Sequence, residues 1–364
     1  MYFGYPLVLM FLGTLRRHPV KKAYTTPSVT IIISAYNEEK FISGKLDELL
    51  SLDYPREKLQ IVIVSDGSTD QTNAILEGYT NKGVESYPLK AQLGKTAAQN
   101  EGVRHAKGEI LFFTDVTVFL EPQAIREIVA NFADERVGCV SGRFQYGSLE
   151  SAATKQGLGL YARYEVCIRR KESDFDSLLG ASGCIYAIRK DLYRPLREDL
   201  VSDLLAPLNL LRDGYRTVYE EKALAQTVRK ATLKTEFTRR SRTALQGLRV
   251  LWHVRNLFNP LQYPFVAFAL FSRRLLRLLM PVFFISAFVV NIFLLPAKLY
   301  TATFLIQMIF YLSAVIGYGL EKLDIKAKVF NIPLFLCVMN LAALYAYFRL
   351  LKGEKVAAWK TIRL

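Results

Sequence analysis

Residues 109–117 read EILFFTDVT, four large apolar side chains followed by a polar end. The apolar run is too short for a buried helix and has the length of a buried strand. Asp115 follows the strand directly, and in open α/β sheets ligands bind outside the carboxyl ends of the strands. For an isolated aspartate, a helix cap or turn is the alternative role. The stretch therefore predicts a buried strand that carries Asp115 as a candidate for chemistry.

Two further strands with polar ends precede this one. They are VTIIISAYNEE at 29–39 and LQIVIVSDGSTD at 59–70. Apolar spacing predicts helices over 41–52, 70–79 and 96–106, with a short strand near 84–87. The alternation of strands and helices predicts an α/β, doubly wound, mostly parallel sheet whose acidic strand ends meet at one edge.

The following part of the chain continues this alternation less regularly. VGCVSGR at 137–143 predicts a strand, and a helical region follows to about residue 171. A small-residue loop and a strand occupy 178–193, and 198–221 predicts an acid-led helix, a stop at Gly214 and a strand.

The apolar residues concentrate at the two ends of the chain. Hydrophobic residues make up 51% of the sequence and gather at 2–15 and after residue 261. Three segments near 278–297, 300–320 and 330–350 approach the length of a membrane span. We therefore predict five parts: an N-terminal membrane helix at 1–20, a globular domain at 25–230, amphipathic interface helices at 231–275, three transmembrane segments at 276–352 and a basic tail at 353–364. A short, poorly ordered terminal helix is the alternative for the first part.

The net charge of +15 lies mainly beside the apolar segments. Basic residues follow the first segment at 16–22 and precede the second group at 239–255, which is typical of the cytoplasmic side of a membrane. No nucleic-acid-binding motif accompanies the charge, so we expect no nucleic acid partner. Three spans put the basic tail on the opposite side from the globular domain, against the positive-inside tendency. The sequence leaves open whether one segment is re-entrant. The four cysteines form no CxxC pair, so they indicate neither zinc nor a disulfide framework.

Four motifs in order give the chain a family resemblance. SAYNEE at 34–39, DGSTDQT at 66–72, GKTAAQNEG at 94–102 and a strand ending in TD resemble the family 2 glycosyltransferases of GT-A fold. The chain is most similar to membrane-bound synthases of the cellulose, hyaluronan and poly-N-acetylglucosamine type, and within them to small bacterial members. The resemblance covers about residues 25–260. It implies a Rossmann-like GT-A domain in the cytoplasm, anchored in a bacterial-type plasma (inner) membrane.

The resemblance implies a site for a UDP-sugar and a divalent cation. Nucleotide contacts are implied for Ala35, Tyr36, Glu38, Asp66 and Lys95. Asp115 matches the first acid of the family's DxD metal motif, but the third position is Thr117. Because a hydroxyl is a weaker ligand than a carboxylate, Mg²⁺ or Mn²⁺ is expected on Asp115 with the diphosphate's help.

A catalytic base is also implied by the resemblance. Asp203 matches the base position of a TED-like motif, with Ser202 in place of the usual acid. An inverting transfer needs such a base to deprotonate the acceptor hydroxyl. A helix-cap role is the alternative for Asp203, and Glu198 and Asp199 are near enough in sequence to compete.

Two further segments are implied to contact the substrates. Arg239, Arg240 and Arg242 match the family's arginine segment, and guanidinium groups can clamp a diphosphate. Binding to anionic lipid heads is their alternative role. In the GASG loop, Gly180, Ser182 and Gly183 are expected to form the floor beneath the acceptor, with close strand–helix packing as the alternative.

We therefore expect a membrane-bound inverting glycosyltransferase that moves a sugar from a UDP-sugar to a polysaccharide or lipid-linked saccharide. The tryptophan of the processive members' QxxRW segment is absent, so polymer extrusion and single transfer both stay open. A second copy would be needed if three spans were too few for a translocation channel, which makes a homo-oligomer an option. A non-catalytic subunit that binds nucleotide sugar or a partner synthase is the alternative from another functional class.

Overall fold

A computed structural model describes residues 3–147, 152–228, 232–323, 325 and 327–354, apart from the side chains of 152–157. From residue 355 onward the predicted basic tail lies outside this part. The chain forms two compact units. The sheet unit comprises Pro6–Gly147 and Val166–Arg229, and the helical unit comprises Ser148–Glu165 and Lys230–Glu354 together with Met1–Tyr5. The sequence did not predict that 148–165 would join the C-terminal helices.

The sheet unit is built on one mixed sheet. Its strands in the described residues are β1 (Val29–Ala35), β2 (Leu59–Ser65), β3 (Val84–Pro88), β4 (Ile110–Asp115), β5 (Val118–Leu120), β6 (Val137–Tyr146), β7 (Ile185–Arg189) and β8 (Arg216–Thr227). Their order is β3-β2-β1-β4-β7-β6-β8-β5. The first four strands in this order pair in parallel, which confirms the predicted doubly wound half. Strand β7 then runs antiparallel to both of its neighbours, β4 and β6.

The parallel strands are covered on both faces. All seven residues of β1 are buried, and so are the four large apolar residues of β4. Such strands form continuous apolar runs because helices pack on each side of the sheet. The register pairs Ser34 with Asp115, and Ala35 with Ser65. The polar ends of the first, second and fourth strands therefore lie side by side.

The described helices flank this sheet or follow it. They are α1 (Gly4–Leu15), α2 (Ile42–Leu50), α3 (Thr72–Glu77), α4 (Lys95–His105), α5 (Ala124–Ala130), α6 (Ala152–Phe175), α7 (Ser202–Arg212), α8 (Leu233–His253), α9 (Pro264–Ala269), α10 (Leu276–Phe293), α11 (Lys298–Lys322) and α12 (Lys328–Leu351). Helix α7 begins later than the sequence predicts, so Glu198 and Asp199 precede it. Gly214 ends that helix region with φ +88°, as its position predicts.

Among the described residues of the helical unit, three helices are long and apolar enough to cross a membrane. They cover Pro264–Phe293, Lys298–Lys322 and Lys328–Leu351, with 30, 25 and 24 residues. The first runs continuously from Pro264 through a π-helical turn, Leu270–Leu275. The sequence predicts that an interface helix ends and the first span begins at about residue 275. In the structure the helix continues through this point without interruption. Helix α1 has 12 residues, or about 18 Å at 1.5 Å per residue, which is less than a bilayer's hydrocarbon thickness.

A buried ion pair attaches β5 to helix α2. The Lys45 ammonium is fully buried, donates to the Val118 carbonyl at 2.6 Å and pairs with Glu48 at 2.7 Å. The Glu48 carboxylate in turn accepts the Leu120 N–H at 2.7 Å. Burial lowers the pKa of Lys45 and raises the pKa of Glu48, while their mutual attraction opposes both shifts. The pair fixes the strand that directly follows the Asp115 turn.

Replacing one member of this ion pair tests how much the pair contributes to the stability of the fold. Lys45→Met leaves the Glu48 carboxylate buried without its counter-charge, so we expect the free energy of unfolding to fall by about 3–5 kcal/mol. Denaturant unfolding in detergent micelles measures this. The double variant Lys45→Met/Glu48→Gln should recover part of the loss, because an amide oxygen still accepts the Leu120 N–H without a charge. Lys40→Met, at an exposed position, is the control. Unchanged stability in Lys45→Met would contradict the analysis.

Candidate active site

The loops after β1 and β2 are joined by short hydrogen bonds. Asn37 takes a left-handed conformation with φ +52°, which a turn asparagine tolerates. Its side-chain oxygen accepts the Thr69 N–H at 2.8 Å, and its own N–H donates to the Ser68 hydroxyl at 3.1 Å. The Glu38 N–H donates to the Thr72 hydroxyl at 2.9 Å. The SAYNEE and DGSTDQT motifs thus form two loops that are held together by hydrogen bonds.

The residues of the first loop that are predicted to contact the nucleotide differ in how exposed they are. Ala35 is the last residue of β1 and is buried, Glu38 is buried, and Tyr36 is half-buried. Their contact with a nucleotide stays a prediction from the resemblance.

Asp66 is buried, and both of its carboxylate oxygens bind backbone. They accept the N–H groups of Leu93 at 2.7 Å and Gly94 at 2.9 Å. Gly94 has φ +108°, a conformation that favours glycine, and Lys95 follows it as the first residue of α4. In this structure Asp66 therefore positions the turn that presents Lys95. Its predicted nucleotide contact is not tested by this geometry.

The Lys95 ammonium connects two sides of the site. It donates to Asp115 Oδ1 at 2.5 Å and to the Gly183 carbonyl at 2.9 Å. Burial lowers the pKa of this ammonium, but the attraction and hydrogen bond of Asp115, with the charge of Asp203, outweigh burial and raise it. Lys95 is therefore charged at neutral pH and holds the end of β4 against the GASG loop.

Asp203 lies on the other side of the same loop. It occupies the first turn of α7, and its backbone carbonyl accepts the Ala181 N–H at 2.8 Å. A Cβ atom on Gly183 would approach Asp203 Oδ2 to 2.3 Å. Any larger residue would require the Asp203 carboxylate to shift from this position. The structure thus brings together Lys95, Asp115, Gly183 and Asp203, which are far apart in the sequence. Glu198 is exposed, and Asp199 pairs with Arg197 at 2.9 Å. Both competitors precede Ser202, so they lie outside the helix that carries Asp203.

Residues on strands β6 and β7 that sequence reasoning missed support this arrangement. The Ser141 hydroxyl of β6 accepts the Ser182 N–H at 2.8 Å and an Arg169 N–H at 3.3 Å. The Tyr186 hydroxyl lies 3.4 Å from the Ser202 hydroxyl, and its ring stacks on Phe113. Ser141 lies in the stretch VGCVSGR, which the sequence analysis interpreted only as a strand. No sequence pattern marked Tyr186.

Cys184 also borders the site but is unsuited to nucleophilic chemistry. Its sulfur lies 3.6 Å from the Ser182 hydroxyl. Burial, followed by the negative charge of Asp115, raises the pKa of the thiol to about 12. Since the thiolate is the reactive form, this cysteine is a packed thiol at neutral pH.

The metal ligands on the protein are few. In the described residues no group of three or more histidine, cysteine, aspartate or glutamate side chains could hold a metal ion. Thr117 is buried, and its carbonyl accepts the Thr227 hydroxyl at 3.0 Å and the Val228 N–H at 3.1 Å. One carboxylate fits Mg²⁺ or Mn²⁺ when substrate phosphates complete the coordination, a common arrangement for Mg²⁺. The residues therefore fit a cation that arrives with its nucleotide.

The predicted arginine clamp lies in the helical unit. On α8, Arg239 binds Glu236 through two hydrogen bonds of 3.0 and 2.7 Å, and Arg240 lies 3.6 Å from the same carboxylate. Glu236 is buried, and Arg242 is half-buried on the same helix. A diphosphate contact by these arginines remains a prediction.

Known proteins are similar to this chain in sequence and in fold. The profile of "Glycosyl transferase family 2" matches residues 30–197, which confirms the resemblance. The chain is 26% identical over 255 residues to the poly-beta-1,6-N-acetyl-D-glucosamine synthase of Staphylococcus aureus (strain N315), covering 68% of this chain and 61% of that protein. It is 25% identical over 229 residues to the synthase of Staphylococcus epidermidis (strain RP62A), covering 61% and 55%. The chain thus spans 55–61% of the length of these relatives.

One solved structure matches over nearly the whole length. It is a mannosyltransferase from Pyrobaculum calidifontis in complex with GDP-Man and Mn²⁺, with a TM-score of 0.66 and 20% identity, covering 97% of this chain and 96% of that one. At this identity the likeness shows the fold, and it confirms the predicted GT-A class with its C-terminal helices.

Lys95 offers a direct test of the site's framework. Lys95→Met removes an ammonium that binds one carboxylate and one carbonyl, so we expect the free energy of unfolding to fall by about 1–3 kcal/mol. The raised pKa means that this stabilisation is complete below the unfolded value of about 10.4 and disappears as pH rises through the folded one. The difference in Tm between wild type and variant should therefore be equal at about pH 7 and about pH 9, and shrink above about pH 10.5. A double-mutant cycle with Asp115→Asn isolates the pair, and a coupling near zero would refute it.

Proposed function

Residues 30–197 match the profile of "Glycosyl transferase family 2", and from this premise we propose that the chain is a membrane-bound, inverting glycosyltransferase. It transfers a sugar from a UDP-sugar to a polysaccharide or lipid-linked saccharide acceptor. The observation that carries this proposal is that Lys95 contacts both Asp115 and the Gly183 carbonyl, while the Asp203 carboxylate lies beside Gly183. An inverting transfer requires a catalytic base, which is Asp203 in this proposal. It also requires positive charge beside the leaving group, which Lys95 and a metal ion on Asp115 would supply.

Asp203 acts as the base in this mechanism. The acceptor hydroxyl attacks the anomeric carbon from the side opposite the diphosphate, and its proton moves to an Asp203 oxygen. The bond from the anomeric carbon to the diphosphate oxygen breaks, and UDP leaves with the electron pair. Gly183 favours this role because the absence of a side chain lets the carboxylate and a sugar ring approach the backbone.

Positive charge stabilises the leaving group. Lys95 keeps its ammonium beside Asp115, where developing negative charge on the diphosphate is neutralised. Mg²⁺ or Mn²⁺, held by Asp115 next to Thr117, supplies further Lewis-acid stabilisation when bound. The resemblance adds Arg239, Arg240 and Arg242 as diphosphate ligands and assigns nucleotide contacts to Ala35, Tyr36, Glu38 and Asp66.

Similarity guides the choice of donor and the location. The relatives' names point to N-acetylglucosamine as the sugar, and three described helices can span a membrane. We propose a bacterial-type plasma (inner) membrane with the sheet unit in the cytoplasm. The clustering of basic residues beside the apolar segments supports that orientation.

The base is tested by a single substitution. Asp203→Asn cannot accept the acceptor's proton, so UDP release should fall by about 10²- to 10⁴-fold. Binding of UDP should remain, because the carboxylate is not assigned to the nucleotide. Release is measured on protein in lipid with a panel of UDP-sugars and GDP-Man. Glu198→Gln, at the exposed competitor, is the matched control and should keep wild-type release. Intact nucleotide binding with UDP release unchanged by Asp203→Asn, at background in both proteins, would instead support the non-catalytic subunit.

Metal binding should depend on the nucleotide. Because the described residues offer Asp115, which is paired with Lys95, rather than a cluster of three or more ligands, Mn²⁺ alone should bind weakly and Mn²⁺ with UDP at least about tenfold more tightly. Electron paramagnetic resonance of Mn²⁺ measures both without turnover. Asp115→Asn should remove the UDP-dependent part, whereas Glu198→Gln should not. Tight binding of Mn²⁺ without nucleotide would show that further protein ligands exist.

A further inference from the structure

The segment that leads into α7 has no regular secondary structure. It covers residues 193–201, and Asp203 follows in the first turn of the helix. Leu196 and Leu200 are its buried side chains, exposed at 6% and 4%. The backbone groups of such a segment need partners from elsewhere, because no helix or strand supplies them. We call residues 193–201 the α7 lead.

One side chain of α4 binds both backbone groups of Leu196. Asn100 Nδ2 donates to the Leu196 carbonyl at 2.7 Å, and Asn100 Oδ1 accepts the Leu196 N–H at 3.0 Å. The same oxygen accepts the Tyr193 hydroxyl at 2.8 Å. An asparagine amide can do this because it offers a donor and an acceptor side by side. Asn100 therefore serves the lead as a neighbouring strand would.

A second bond from the same helix holds the other end of the lead. The Thr96 hydroxyl donates to the Leu200 carbonyl at 2.7 Å, and this bond is buried. Thr96 and Asn100 are four residues apart, so they share one face of α4. Thr96 directly follows Lys95 in the chain, and Leu200 lies three residues before Asp203. The bond therefore connects the backbone beside the ammonium with the backbone that leads to the carboxylate.

Tyr193 is also held by the sheet. Its ring stacks on Phe113 of β4 with centroids 5.9 Å apart, and Phe113 stacks in turn on Tyr186 at 4.8 Å. Burial raises the pKa of the Tyr193 hydroxyl, which keeps its proton and donates it to Asn100. The lead thus contacts both α4, which begins at Lys95, and β4, which ends at Asp115. All of these residues belong to the sheet unit.

We propose that Thr96 and Asn100 are positioning residues, which fix the Asp203 carboxylate relative to the Lys95 ammonium through the α7 lead. Both side chains bind the lead and act on the reaction through Asp203. A base accepts a proton only from a hydroxyl within hydrogen-bond reach, and a shift of about 1 Å can cost about 10²-fold in rate. The inference rests on the proposed function, because that function assigns Asp203 as the base.

Hydrogen exchange tests the geometry without turnover, on the full chain in lipid nanodiscs. Asn100→Ala removes three bonds, so the amides of residues 193–203 should exchange about tenfold faster or more, while those of β1 and β4 keep wild-type protection. Asn100→Asp still accepts but cannot donate to the Leu196 carbonyl, so its effect should be intermediate. Tyr193→Phe removes one bond and should have the smallest effect. Arg104→Gln, at an exposed position of the same helix, is the control and should match wild type.

Kinetics of the same variants test the connection to Asp203. UDP-N-acetylglucosamine is the donor, and an N-acetylglucosamine oligosaccharide is the acceptor. Asn100→Ala should lower kcat by about 10- to 100-fold and leave the donor KM within about twofold, because Lys95 keeps its place at the start of α4. In the Asp203→Asn background the same substitution should cause no further fall, since the base that it positions is gone.

Several results would overturn the proposal. Unchanged exchange of residues 193–203 in Asn100→Ala would do so whatever the activity, and so would faster exchange with unchanged kcat. Equal losses of kcat in the wild-type and Asp203→Asn backgrounds would show a general effect on stability instead. If Asn100→Ala does not fold, Asn100→Asp and Tyr193→Phe carry the same comparisons.

Failure of the proposed function gives a different result. Wild type would then release no nucleotide with any donor of the panel. Faster exchange of residues 193–203 in Asn100→Ala would still support the placement of Asp203 by α4, and unchanged exchange would refute it.

Discussion

The bond network of the Lys95 ammonium is the constraint on which the site depends. One cation joins Asp115, at the end of a strand in the parallel half of the sheet, to the carbonyl of Gly183, in the loop before the antiparallel β7. Without a positive charge there, the carboxylates of Asp115 and Asp203 would face the same loop with repulsion alone between them. The ammonium therefore allows the two carboxylates to occupy one small region.

Many polar side chains of the sequence motifs hold the backbone of the loops in place. Both carboxylate oxygens of Asp66 accept N–H groups of the Leu93–Gly94 turn, and the Asn37 side chain accepts the Thr69 N–H. Ser141 does the same for the GASG loop from the adjacent strand. Such buried bonds are costly to leave unmade, so they rigidify the loops that present Lys95 and Gly183. Precise placement of reacting groups is itself a large part of catalysis.

The helical unit solves a different physical problem. Its long apolar helices satisfy their backbone groups by bonds within each helix, which is what a membrane-crossing segment requires. The stretch 278–297 carries no charged side chain, and among the charged residues before it Arg273 and Arg277 share the carboxylate of Glu165. The sheet unit shows the opposite arrangement, with Lys45 and Glu48 paired inside a globular core.

The sequence alone determined the parallel half of the sheet, the strand ends that carry Asp66 and Asp115, and the apolar segments, because period, length and turn residues are local properties. The ordered motifs also led to the family. Local pattern did not reveal that β7 runs antiparallel, that 148–165 joins the C-terminal helices, or that α7 starts at Ser202. It did not reveal Ser141, Tyr186 or the partners of Arg273, since these contacts join residues far apart in the chain. Only tertiary packing brings such residues together, and the chemistry of the site follows from that packing.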